Sequence, residues 1–163
     1  MVKIPTIDYS MLFSDILDSV FRGISDFFNP ANIENRKKYE KKNPTDKLRW
    51  ELRSSLGENR ENFKLAGHPQ FYCPTKPSGF SEAMEEYVKR LRVILEGLGK
   101  AISKAMGFEE CYIEKALEID SGFDVSSLNL YPPNFKSKGS IGIAEHIDHE
   151  IKHAQLLRYL FGR

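Results

Sequence analysis

Nine apolar residues, Met84, Tyr87, Val88, Leu91, Ile94, Leu95, Leu98, Ile102 and Ala105, recur at spacings of three and four, which places them on one stripe of a single long helix. A helix of that length sets the size and direction of whatever packs on it. Ser81 is the expected N-cap, Glu82, Glu85 and Glu86 complement the positive end of the helix dipole, and Gly107 is the expected stop. The Met and aromatic positions of the stripe read as core, not as a cofactor box. An earlier run, Phe13, Ile16, Leu17, Val20, Phe21, Ile24, Phe27 and Phe28, has the same periodicity and ends at Asn29-Pro30, predicting a second core-facing helix from Leu12 to Phe28. "EECYIEKALEI" predicts a short third helix. "EIKHAQLLRYLFGR" predicts an amphipathic one, with Ile151, Ala154, Leu157 and Leu160 on one side.

Strand signals are sparser. "KIPTIDYS" reads as an edge strand or extended entry, and "SGFDVSSLNLYPP" as a strand ended by its prolines. "HPQFYCPTKPSGF", with three prolines, is expected to be an extended loop lying on the core through Phe71, Tyr72 and Phe80. Residues 32–64 are dense in charge, with turn chemistry at Asn43-Pro44 and Gly57, and are expected to be mostly surface or disordered. In that stretch Arg36, Lys37, Lys38, Lys41, Lys42 and Lys47 are interrupted by Glu34, Glu40 and Asp46, with Tyr39 as the one stacking ring. They read as a solvated face and not as a nucleic-acid patch.

A chain of 163 residues with 40% hydrophobic content is about the size of one domain and long enough to bury a core. Its 24 basic and 23 acidic residues nearly cancel, so no overall field draws it to nucleic acid or to an anionic membrane. Cys73 and Cys111, far apart and without a secretory leader, are expected to be reduced thiols. No run of sequence has the length and apolarity of a membrane span. The expectation is a soluble, cytoplasmic protein.

Chemistry concentrates in "EHIDHEIKHA", residues 145–154. His146 and Asp148 form an H-x-D pair, and residues one apart on a strand point to the same side and can grip one metal. His149-Glu150-Ile151-Lys152-His153 spells H-E-x-x-H, the zinc-peptidase pattern, which needs a helix and a third ligand downstream. Only ten residues follow His153, and none is Glu, Asp, His or Cys. A surface histidine beside a surface carboxylate is the bland alternative for His146 and Asp148. His68 and Cys73, in the proline-rich segment, read as structural.

"PTIDYS", "HPQFYCPTKPSGFSEAMEEYVKRLR", "GFEECYIEKALEIDSGF", "NLYPP" and "HIDH" follow one another in the order and approximate spacing of the plant 2-oxoglutarate and Fe(II)-dependent dioxygenases, and the sequence resembles that family most continuously from Pro69 to Asp148. The resemblance implies a double-stranded β-helix, or jelly roll, flanked by helices. It therefore implies an α+β chain: a helical N-terminal region, 1–118, followed by the opening strands of an incomplete jelly roll, 119–163. It implies Fe(II) held by His146 and Asp148, 2-oxoglutarate seated by Asn129 and Tyr131, ascorbate as reductant, and a small organic substrate to be oxidised. Read from the residues alone, Asn129 and Tyr131 serve equally as a strand residue and a core aromatic. The family's third histidine and its later R-x-S pair are not matched before Arg163, and a segment following the "PxIDxS" strand has no counterpart here. Two readings result: a dioxygenase relative inactive as this chain, and a non-catalytic fragment or interaction protein that self-associates through uncovered strand edges. An H-E-x-x-H peptidase is a remote third.

Overall fold

The computed structural model describes residues 15–53, 60–120 and 124–131. The predicted first strand, Phe13 and the predicted last helix lie outside them. Within them the order is α1 (Leu17–Phe27), a 3-10 turn (Pro30–Asn32), α2 (Ile33–Lys37), β1 (Leu48–Arg53), β2 (Arg60–His68), α3 (Phe80–Ala105), α4 (Tyr112–Ala116) and β3 (Asp124–Leu130). The strands form one antiparallel sheet in the order β1-β2-β3. The architecture is α+β. No helix among the described residues is long and apolar enough to cross a membrane.

Strand alternation divides the sheet into two unlike faces. Trp50, Phe63 and Leu128 stand in register across the three strands, with Leu48 beside Leu65 on the same face. This face packs on α1 and α3, and Val20, Phe27, Phe28, Trp50, Phe63, Leu65, Phe80, Ala83 and Met84 form the buried core. Aromatic rings dominate its centre: Phe27 lies 4.6 Å from Phe63 and 5.6 Å from Phe80, centroid to centroid. The reverse face carries Glu51, Asn62 and Asn129, also in register.

That division corrects the reading of 32–64 as surface or disordered chain. The stretch contains α2, β1 and the first half of β2. In β2 the polar Arg60, Asn62 and Lys64 alternate with the core-facing Phe63 and Leu65, so the charge density reports one face of a strand. Arg36 also departs from the solvated-face reading. It is 2% exposed, and its Nε donates to Glu61 Oε2 at 2.8 Å while Nη1 donates to the carbonyls of Phe27 and Asn29, both at 2.8 Å. The Trp50 indole N–H donates to the same Glu61 oxygen at 2.9 Å. A helix-terminal turn, a short helix and two strands are thereby joined through one guanidinium–carboxylate pair.

β3 forms where the sequence predicts a strand: Leu128 and Leu130 pair with β2 at Phe63 and Glu61 and pack against the core. Arg92 of α3 anchors the start of that strand through an ion pair with Asp124 and a 3.0 Å hydrogen bond to the Ile119 carbonyl.

α3 starts one residue before its expected cap. Gly79, at φ 78°, occupies the N-cap position, and Ser81 already lies inside the helix. The helix ends as its sequence predicts: Gly107 adopts φ 77°, and the Phe108 N–H donates to the Ser103 carbonyl at 2.9 Å. The apolar stripe does not stay buried along its whole length, because Ile102 is 47% exposed. Near that end the inward positions are Gly99 and Ser103, and the Ser103 hydroxyl accepts the Ile113 N–H of α4 at 3.0 Å. Small residues there let α4 approach.

Gly23 of α1 lies against Phe80 of α3. A Cβ at that position would meet Phe80 Cδ2 at 2.6 Å and its Cα at 3.3 Å, and Phe80 is fully buried. Alanine ordinarily favours a helix over glycine by up to about 1 kcal/mol, whereas overpacking costs about 1–3 kcal/mol. Gly23→Ala is expected to destabilise the fold by about 1–2 kcal/mol, read as a lower urea midpoint. An unchanged or higher midpoint would show that Phe80 has room to turn.

Candidate functional site

The polar side of the β2–β3 pair holds a connected set of hydrogen-bonding groups. Asn62 stands opposite Asn129, and Lys64 opposite Ser127. Asn62 Nδ2 donates to Ser127 Oγ and to Asn129 Oδ1, each at 2.8 Å, and Arg60 Nη1 donates to the same Asn129 oxygen. Asn62 is 2% exposed and Arg60 is at the edge of burial, whereas Asn129 is exposed. The buried members therefore support a residue that meets the surface. On β1, Glu51 continues this face; burial opposes ionisation, but Lys41 and Arg53 hold its carboxyl below the usual range.

Asn129 is thus on a strand, as predicted, and Tyr131 follows the end of β3 half-buried. His146 and Asp148, the predicted metal ligands, lie outside the described residues. So do His149, Glu150 and His153 of the H-E-x-x-H pattern. Among the described residues no three His, Cys, Asp or Glu side chains gather where they would hold a metal. His68 has its ring nitrogen Nε2 2.7 Å from the Asp120 carbonyl, tying the end of β2 to the turn after α4. Cys73 packs against the core, and burial pushes its thiol up to about 12, which disfavours the thiolate. Both match the structural reading of these residues.

A bound 2-oxo acid is anionic and rich in acceptors, and on this face the Arg60 guanidinium and the Asn129 carboxamide carry donors that would suit it, with the Glu51 carboxylate in register on β1. Arg60, Asn62 and Ser127 were not singled out in the sequence. The signal available was their two-residue spacing, Arg60-x-Asn62 and Ser127-x-Asn129, which places each pair on one face of a strand. A separate open groove of about 330 Å³, bordered by Tyr39, Lys42, Lys47 and Tyr72, includes none of the predicted site residues.

The geometry defines a class of scaffold: a helix-backed antiparallel sheet with an aromatic core on one side and a polar ladder on the other. No family model matches the chain. Its curated homologues are plant 2-oxoglutarate-dependent dioxygenases, and the chain is a partial-length relative of those enzymes. It is 30% identical over 123 residues to 2-oxoglutarate-dependent dioxygenase 19 of Oryza sativa subsp. japonica, covering 72% of this chain and 36% of that protein. Over 140 residues it is 29% identical to flavanone 3-dioxygenase 3 of the same organism, covering 82% and 42%. A 77-residue stretch is 31% identical to flavonol synthase/flavanone 3-hydroxylase of Petunia hybrida, covering 47% and 22%. The chain therefore spans about two fifths or less of the length of these relatives.

Proposed function

We propose that this chain carries part of the cosubstrate and metal site of a 2-oxoglutarate and Fe(II)-dependent dioxygenase acting on a small organic molecule in the cytoplasm. The observation that carries the reading is the 30% identity to a 2-oxoglutarate-dependent dioxygenase over 123 residues, in a chain that also has the N-x-Y and H-x-D pairs. His146 and Asp148 supply two of the three protein ligands of the iron, and Asn129 and Tyr131 hydrogen-bond 2-oxoglutarate. When bound, the metal and its cosubstrate supply the oxidising chemistry. The residues of this chain orient the cosubstrate and hold it on the polar face of the sheet. Residues 1–118 serve as the helical region and 119–163 as the start of the jelly roll. Because β2 of the first pairs with β3 of the second, the two share one sheet.

Two ligands alone hold Fe(II) weakly. The 163-residue chain is therefore expected to form no succinate above background from 2-oxoglutarate under Fe(II), ascorbate and oxygen. A chimera extended with the following strands of a full-length relative is expected to form it, and to lose it on His146→Ala. Succinate from the chain as given, abolished by His146→Ala, would show that another residue completes the site. A folded, inactive chimera would count against His146 and Asp148 as ligands.

A second reading, a non-catalytic chain that associates through strand edges, draws support from β3, one of the two edge strands of the described sheet; the other, β1, is engaged at Trp50 by residues 39–41. Sedimentation decides between them: concentration-dependent self-association without succinate formation by the chimera favours the second.

A further inference from the structure

We infer that Arg60 and Asn62 are positioning residues that lock the carboxamide of Asn129 with its NH2 group outward, so that this point of the site accepts a carboxylate or keto oxygen and rejects a hydrogen-bond donor.

A carboxamide has two nearly identical ends, an acceptor and a donor, and its polarity is fixed only by what it faces. A guanidinium has no acceptor. The Asn129 atom that meets Arg60 Nη1 must therefore be Oδ1. Asn62 approaches the same atom at 2.8 Å, so the Asn62 group that meets it must be its NH2, which also reaches Ser127 Oγ at 2.8 Å. One charged donor thus sets the polarity of two amides in series. Asn62 is almost completely buried between the strands, and reversing its amide would set two oxygens against each other out of water. Two donors occupy Asn129 Oδ1, and among the described residues Nδ2 has no partner. Asn129 is exposed, so that NH2 is the end presented to a ligand.

The inference deepens the proposed function by giving Asn129 a defined hydrogen-bonding sense. It rests on that reading only for the identity of the ligand as 2-oxoglutarate. The lock itself is a property of the unliganded chain.

The test is side-chain amide exchange with water in the ¹⁵N-labelled 163-residue chain, with cross-peaks assigned by their loss in Asn62→Ala and Asn129→Asp. The Asn62 NH2 is expected to exchange roughly fivefold or more slowly than the Asn129 NH2, since among the described residues only the former is hydrogen-bonded. Arg60→Met is expected to narrow that difference by releasing the Asn129 amide, and Arg60→Lys to retain most of it, because lysine is also donor-only. A general loosening of the sheet is a different result, for it would speed backbone exchange at Phe63 and Leu128 as well. Equal exchange at the two amides, or slower exchange at Asn129, would overturn the lock. Added 2-oxoglutarate is expected to move the Asn129 cross-peak in the wild-type chain and to leave Asn62 in place. Unequal exchange with no 2-oxoglutarate response would sustain the lock and count against the cosubstrate reading.

Discussion

Glu61→Ala is expected to lower the unfolding free energy by about 3–5 kcal/mol, the cost of stranding a buried charge. Arg36 is 2% exposed at its side chain and Glu61 15%, so water does little to replace the lost carboxylate. Two carbonyls remain as acceptors for Arg36 Nη1, but neither neutralises it. Trp50 loses its partner in the same substitution. The chain's single tryptophan therefore reports the change directly, and urea unfolding followed by circular dichroism and by fluorescence gives two readouts of one event. A loss below about 1 kcal/mol would place the pair among exposed ion pairs and show that water reaches the guanidinium. Arg36→Met combined with Glu61→Leu should cost less than the sum of the single changes, since the charge and its partner leave together.

Phe63→Ala is expected to cost about 3–5 kcal/mol, the range for truncating a large aromatic in a core that cannot fully close over the void. Phe63 is 0% exposed and lies in register with Trp50 on one side and Leu128 on the other. It is the side chain at which the three strands and α1 meet, its ring 4.6 Å from Phe27 and 5.9 Å from Tyr39. With domains commonly stable by only about 5–15 kcal/mol, that loss is a large share of the whole. Thermal unfolding would register it as a large drop in midpoint, and Phe63→Leu should recover much of it. A near-wild-type midpoint for the alanine variant would show that the ring's neighbours collapse into the space.

α1 and α3 were legible because a 3.6-residue period survives in long segments, whereas the five-residue α2, inside the charged stretch, was not. Gly107 marked the end of α3 correctly, since a left-handed terminal residue has few substitutes. The sheet was much less legible. β1, "LRWELR", and β2, "RENFKLAGH", are half polar because one of their faces is polar, and in isolation such strings resemble solvated chain. Only β3 was anticipated, through its terminal prolines and its alternation. Arg36 was hidden for a different reason: its burial depends on Glu61, twenty-five residues away, and no local pattern reports a partner at that distance. The site divided along similar lines. Asn129 and Tyr131 were singled out through a resemblance, whereas Arg60 and Asn62, which hydrogen-bond Asn129, become visible only when β2 is laid beside β3.

The position of β2 has a consequence for biosynthesis. It is the middle strand, yet one of its neighbours, β1, precedes it closely while the other, β3, begins at Asp124, more than fifty residues after β2 ends at His68. At about 5–20 residues per second, a ribosome takes several seconds to deliver that neighbour. During the interval one edge of the nascent hairpin, with Phe63 and the future amide ladder, waits without a mate. Pairings between distant segments also form late in folding. Cotranslational capture of this edge by a chaperone, or by another emerging copy, is thus set by the order of the strands along the message.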